Sequence, residues 1–127
     1  MKYLSAEDIL LLHHQLIEDF GGSHGIRDEN RLAAVIAAPR QEAFGVEQYP
    51  SIFEKAAVYA RNIIADHLFV DGNKRSGITS ASIFLMKNGY VLTADSKVLE
   101  DFAVQIAVEK CDIPEIAAWF EKYSKKL

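Results

Sequence analysis

Apolar residues recur at helical spacing along most of the chain. In residues 5–20, Ile9, Leu12, Leu16 and Phe20 keep this spacing, and Ser5 with Asp8 forms a capping-box pattern at its start. Side chains three or four residues apart fall on one face of an α-helix. The pattern predicts a first amphipathic helix over residues 5–20, which Gly21-Gly22 ends.

Five further helices are predicted from the same periodicity, from capping residues, and from Gly or Pro at their ends. They cover residues 28–38, a segment from Ser51 towards His67, a segment from Gly72 or Asn73 to Asn88, residues 96–109, and a last helix that begins after Asp112. Two stretches lack helical spacing: Phe44-Gly45-Val46, which could form a short extended flap, and Tyr90-Val91-Leu92, an extended connector. The sequence therefore predicts an all-α fold of about six helices.

The composition is that of one globular domain, which we expect to span residues 1–127. Half of the 127 residues are hydrophobic, which is enough for a core that needs no disulfide or structural metal. Cys111 is the single cysteine, so no intramolecular disulfide can form and a reducing compartment is expected.

The termini and the charge narrow the class of protein further. Acidic residues interrupt the N-terminus before any apolar run, which is unlike a signal peptide, and no apolar run reaches the roughly 18 residues of a membrane span. The net charge of −4 disfavours nucleic-acid binding as the main activity. We expect a cytoplasmic protein that binds neither membrane nor nucleic acid directly.

One segment between two apolar helices, residues 67–75, concentrates polar chemistry. A helix that begins at Gly72 or Asn73 would offer free backbone N–H groups to an anion. Lys74 and Arg75 add positive charge suited to phosphate oxygens. The spacing indicates a phosphate-binding site, although no P-loop pattern is present.

Two residues of the same segment add the chemistry of group transfer. A carboxylate beside phosphates, here Asp71, can hold Mg²⁺, with phosphate oxygens and waters as the other ligands. A neutral histidine, here His67, can take a proton from a hydroxyl. Each residue of the segment also has a structural interpretation. His67 could be a structural histidine, Asp71 a helix cap, and Lys74-Arg75 a solvated pair of cations. Leu68 and Phe69 are interpreted as core anchors. Spacing alone leaves both interpretations open.

The order His-x-Phe-x-Asp-Gly-Asn-Lys-Arg in residues 67–75 resembles the signature of the Fic/Doc family in its Doc (death-on-curing) form. Leu4-Ser5 at the first helix, Gly21-Gly22 followed by residues 25–28, and Asn88-Gly89-Tyr90 after the motif helix also look like that family. The resemblance covers most of the chain and implies the Fic fold.

The resemblance also implies an activity. Proteins of the Doc branch are toxins of toxin–antitoxin systems that transfer the γ-phosphate of ATP to a threonine of translation elongation factor Tu, and so inhibit protein synthesis. The implied roles are His67 as general base, Asp71 as Mg²⁺ ligand, and Gly72, Asn73, Lys74 and Arg75 as phosphate-binding residues. Fic proteins usually transfer AMP instead, and their signature has glycine where Lys74 stands. AMP transfer is therefore one alternative, and a catalytically inactive binding module is another.

Departures from the family pattern leave these groups in place. Leu68 stands where many Fic-type motifs have proline. Gly77, inside the motif helix, costs up to about 1 kcal/mol relative to alanine, and either permits close helix packing or has no role. Residues 44–49 correspond to the family's flap, which docks the target by strand-like pairing, although sequence alone would favour an ordinary surface loop.

The inhibitory helix of many Fic enzymes, with its Ser/Thr-x-x-x-Glu-Gly/Asn motif, has no good match. Residues 96–101 come nearest, but Asp101 breaks the pattern. The resemblance then implies inhibition in trans by a Phd-like antitoxin, whose C-terminal segment is disordered until it binds in a groove on the toxin.

Overall fold

The computed structural model describes every residue from Met1 to Leu127 and confirms the all-α fold. The helices are α1 (Ala6–Phe20), α2 (Glu29–Ala37), α3 (Ile52–Ala65), α4 (Asn73–Lys87), α5 (Ser96–Glu109) and α6 (Ile113–Lys122). Four short strands accompany them: β1 (Glu42–Ala43), β2 (Val46–Glu47), β3 (Tyr90–Leu92) and β4 (Ser124–Lys126). None of the helices is both long and apolar enough to cross a bilayer.

Capping residues explain why the helices begin where the sequence predicts. The side chains of Ser5 and Ser51 each accept from the third backbone N–H of their helix, and Asp8 and Glu54 return the bond. The Asp28 side chain caps α2 by accepting from the N–H of Asn30, without a reciprocal bond. Pro39 does not end the helical segment, since it lies within a 3₁₀ turn that extends it.

The core is one cluster of 22 buried residues around α3, which packs against α4 on one side and α6 on the other. Gly77 of α4 faces α3 so closely that a Cβ there would lie 2.6 Å from Cγ1 of Ile64 and 3.0 Å from the carbonyl oxygen of Ala60. Because a real Cβ is almost never found that close to another atom, Gly77 is required for the close packing of these two helices.

The buried face of α1 differs from the predicted one. Its fully buried residues are Ile9, His13 and Ile17, whereas Phe20 is 61% exposed. The face is turned towards the loop that precedes α4, and a histidine can be buried there because the loop supplies a hydrogen-bond partner and an aromatic ring.

The stretch between α2 and α3 forms a two-stranded antiparallel hairpin, which we call the flap. Ala43 pairs with Val46, and Phe44 and Gly45 between them have φ angles of 53° and 77°. Two positive φ angles in succession are typical of a type I′ turn, the tight connection that suits a twisted hairpin. Phe44 and Val46 project into solvent.

The connector Tyr90-Val91-Leu92 is extended as predicted, but it is also paired. It lies antiparallel to β4, a C-terminal strand that the sequence analysis did not predict. Ser124-Lys125-Lys126 shows no alternation of apolar and polar residues, so periodicity carried no signal for it.

Candidate active site

The first part of the motif lies on the loop from residue 66 to residue 72, between α3 and α4, and two buried side chains anchor this loop. Leu68 and Phe69 are fully buried, which confirms both as core anchors. The Asn73 side chain accepts from the N–H of Phe69 at 2.8 Å and donates to its carbonyl at 2.9 Å. The loop is therefore held by the packing of Leu68 and Phe69 in the core and by the hydrogen bonds of the Asn73 amide at the start of α4.

A second set of bonds holds the loop from the segment after α1. The N–H of Arg27 donates to the carbonyl of Leu68 at 2.9 Å, and the N–H of Val70 donates to the carbonyl of Gly25 at 3.0 Å. Ile26 and Phe69 form the isolated antiparallel bridge between these bonds. The glycine-rich segment after α1 thus supports the motif loop as a neighbouring strand would.

His67 is exposed and its backbone is held in an uncommon conformation. Its φ angle is 49°, in the left-handed region, which costs a non-glycine residue of order 1–3 kcal/mol. One guanidinium nitrogen of Arg31 donates to the carbonyls of Asp66, at 2.7 Å, and of His67, at 3.3 Å. The His67 imidazole makes no hydrogen bond within the chain, so both of its nitrogens are free to bond to a ligand.

Asp71 presents an ionised carboxylate to solvent. Its Oδ2 accepts from the N–H of Ser23 at 3.0 Å, and its Oδ1 accepts from the N–H of Gly72 at 2.8 Å. These two bonds, that from Ser23 first, hold the pKa of Asp71 below its usual range. Each oxygen keeps a lone pair, so the carboxylate is oriented without being saturated.

The N-terminus of α4 has unused backbone donors. The N–H groups of Asn73, Lys74 and Arg75 make no hydrogen bond within the chain. The N–H of Gly72 is not free, since it donates to Asp71, and Gly72 itself starts the helix with a φ angle of 76°. The anion-binding capacity predicted for this helix end therefore resides in the three groups that follow Gly72.

Two exposed cations stand at this helix end. Neither Lys74 nor Arg75 forms an ion pair with a carboxylate of the chain. The Arg75 guanidinium lies 4.1 Å from the ring centre of Phe20, the last residue of α1. This cation–π contact gives the guanidinium a defined place beside the helix N-terminus.

The donor set fits Mg²⁺ held together with a phosphate-bearing ligand. The structure has no group of three or more His, Cys, Asp and Glu side chains that could hold a metal by themselves. Asp71 alone offers hard, charged oxygen atoms beside free N–H groups, and Mg²⁺ is commonly bound through one or two carboxylates plus substrate phosphates.

A cavity of about 420 Å³ reaches the other end of the motif loop, next to His67. It is lined by Arg27, Arg31, Ala34, Val35, Asn62, Ala65, Asp66 and His67. The site thus has two parts: a concave side at His67, bordered by α2 and α3, and an open side at Asp71 and the N-terminus of α4.

His13 is a site residue that the sequence analysis missed. Its ring stacks on Phe69, with 3.6 Å between ring centres and an interplanar angle of 2°. Its Nε2 lies 2.8 Å from the carbonyl oxygen of Asp71, and because a carbonyl only accepts, Nε2 is the donor. Burial lowers the pKa of His13, so the ring is neutral near pH 7. The signal was its place four residues after Ile9, on the buried face.

Comparison with known proteins defines the class to which this fold and site belong. A model of the Fic/DOC family matches residues 3–85, which include the whole motif loop. The chain belongs to the Fic/DOC family.

Two curated relatives are Doc proteins. The chain is 38% identical to Toxin Doc of Mycolicibacterium smegmatis over 119 residues, 92% of this chain and 89% of that relative. It is 33% identical to Protein kinase doc of Escherichia phage P1 over 117 residues, 92% of this chain and 91% of that relative. The similarity therefore spans nearly the full length of each protein.

Proposed function

We propose that this protein is a Doc-type toxin of a toxin–antitoxin system, a protein kinase that transfers the γ-phosphate of ATP to a threonine hydroxyl of elongation factor Tu in the cytoplasm. The proposal depends above all on one observation: unbonded backbone N–H groups and two unpaired cations stand at the start of α4, on the same loop as an unbonded histidine. The names of both relatives support it.

In the proposed reaction, the imidazole of His67 takes the proton from the target hydroxyl as its oxygen forms a bond to the γ-phosphorus of ATP. The bond between that phosphorus and the oxygen bridging to the β-phosphate breaks, and ADP leaves. Lys74, Arg75 and the free N–H groups of α4 stabilise the charge on the phosphate oxygens. Mg²⁺, when bound through Asp71, neutralises part of the phosphate charge.

Lys74 favours phosphoryl transfer over AMP transfer. The terminal phosphate is the most highly charged end of ATP, and the start of α4 offers it two cations, since Lys74 stands beside Arg75. Glycine at this position, as in AMP-transferring Fic proteins, would leave room for the α-phosphate region and remove one charge. The side chain therefore favours the γ-phosphate at this position on grounds of both charge and space.

Intact-mass spectrometry tests the proposal. Elongation factor Tu is incubated with the protein, ATP and Mg²⁺, and the His67→Ala variant serves as control. We expect a gain of about 80 Da, one phosphoryl group, with the wild type only. A gain of about 329 Da would mean AMP transfer, and no gain would exclude this factor as the target.

We propose further that a Phd-like antitoxin inhibits the protein in trans. The nearest match to the inhibitory Fic motif, residues 96–101, is broken by Asp101. An apolar groove of about 620 Å³ lies between α1 and α2. Its lining is mostly apolar, including Leu10, Ile26, Leu32 and Ile36, and also contains the charged residues Glu29 and Arg40. An amphipathic segment that orders on binding requires a groove of this character.

A further inference from the structure

His13 is the one buried side chain outside the motif that bonds directly to the motif's polar backbone. It is 4% exposed, it lies on α1, and it reaches the loop through its Nε2 and its ring face. A residue needed for packing alone could be apolar, as its neighbours Ile9 and Ile17 on the same face are. The donor atom therefore calls for an explanation beyond packing.

The bond from His13 fixes one particular peptide plane, the one between Asp71 and Gly72. Its carbonyl oxygen accepts from Nε2 of His13 at 2.8 Å, and its N–H donates to the Asp71 carboxylate at 2.8 Å. The plane is thus held at both ends. Only the Gly72–Asn73 peptide separates it from α4, so holding it fixes how the chain enters the helix start at which the free N–H groups lie.

The same plane carries the Asp71 side chain, whose other oxygen accepts from Ser23. Two glycines allow the backbone to lie close to this region: a Cβ on Gly22 would lie 2.6 Å from Oδ2 of Asp71, and one on Gly72 would lie 3.2 Å from Cδ1 of Ile17. Helix α1 and the two residues after it therefore form a close-fitting support behind the carboxylate.

We propose that His13 is a positioning residue for the Mg²⁺–nucleotide site: by donating to the Asp71 carbonyl, it holds the Asp71 carboxylate and the start of α4 in the orientation that binds metal and phosphate together. This inference rests on the proposed function. Groups that orient a metal-binding carboxylate contribute substantially to affinity, and their loss typically weakens binding about 10–100-fold.

Two substitutions separate the hydrogen bond from the packing. His13→Phe keeps an aromatic ring that can stack on Phe69 but removes the donor. His13→Gln gives up the ring but places an amide N–H within reach of the carbonyl. His14→Phe, at the adjacent and exposed histidine, is the matched control.

The measurement is the affinity of each protein for Mn²⁺ together with a non-hydrolysable ATP analogue, followed by the electron paramagnetic resonance of Mn²⁺. Thermal unfolding is recorded alongside, and no target protein is needed. We expect His13→Phe to weaken Mn²⁺–nucleotide binding by about tenfold or more, His13→Gln to recover most of that loss, and His14→Phe to match the wild type.

The proposal is overturned if His13→Phe binds Mn²⁺–nucleotide as the wild type does, if Phe and Gln lose affinity only in proportion to a fall in Tm, or if the wild type shows no such binding. Should His13→Phe fail to fold, His13→Leu removes the donor with an aliphatic side chain like those of Ile9 and Ile17 on the same face, and the same loss of affinity is expected. Wild-type binding without phosphorylation of elongation factor Tu would contradict the proposed target and leave the role of His13 standing.

Discussion

The motif loop and the flap both turn the chain sharply, with a non-glycine residue at positive φ in each, yet they are held in opposite ways. His67 in the loop is followed by two fully buried side chains, whereas Phe44 in the flap is fully exposed. Packing and hydrogen bonds hold the conformation of the motif loop. The comparison indicates that the groups of the proposed reaction are held in place before a ligand binds. The tip of the flap, which the family resemblance implies docks the target, is not held by packing.

The flap is connected to the core at its base. Nζ of Lys55, which is 1% exposed, lies 3.0 Å from Oε1 of Glu47 and 2.7 Å from the carbonyl oxygen of Pro39. A buried ammonium needs such partners, because an unpaired charge in the interior is costly. The flap is therefore secured at one strand and free at its tip.

The largest expected effect is on catalysis at the loop. His67→Ala should lower the rate of phosphoryl transfer by about 10²–10⁴-fold, because general-base catalysis contributes that much. Tm should stay unchanged, since the imidazole is exposed and unbonded. His14→Ala is the control. Wild-type kinetics of His67→Ala would exclude His67 as the general base.

The same substitution in each region tests the comparison through stability. Phe69→Ala should cost about 3–5 kcal/mol in the free energy of unfolding, because it leaves a cavity in a packed core. Phe44→Ala should change it by less than about 0.5 kcal/mol, while raising the KM for the target protein. Urea unfolding of both variants checks this, and similar losses would mean that the flap is as well packed as the loop.

A smaller effect is expected at the base of the flap. Glu47→Ala should cost about 1–3 kcal/mol, because it removes one of the two partners of the buried Lys55 ammonium. Glu42, which pairs with Glu47 across the hairpin and forms no ion pair, provides the control Glu42→Ala. Equal stabilities of the two variants would show that Lys55 does not secure the flap.

The smallest expected effect concerns Phe20. The contact of its exposed ring with the Arg75 guanidinium contributes about 0.5–1 kcal/mol to the placement of that guanidinium. Phe20→Ala should therefore raise the KM for ATP a few-fold and change kcat by no larger a factor. Leu11→Ala, at an equally exposed position of α1, is the control. A KM for ATP that is the same in both variants would exclude this contact from nucleotide binding.

The sequence predicted the elements that depend on local chemistry and missed those that depend on distant partners. Ser5, Asp28 and Ser51 identified helix starts because a cap acts within its own first turn. The loop residues were recognised because they follow one another in the chain. His13, Arg31 and Ser23 were not, since each meets the motif loop only after α1 and α2 have packed. The spacing of His13 from Ile9 indicates a buried position, but not which residues it contacts.

The reacting phosphate can be identified whatever the target is, by supplying bacterial lysate with ATP labelled at either its γ- or its α-phosphorus. With Mg²⁺ and the wild-type protein, we predict a protein band labelled from γ-labelled ATP, none from α-labelled ATP, and no label with His67→Ala. A band labelled from α-labelled ATP, or equal γ-label with the variant, would contradict phosphoryl transfer by this site.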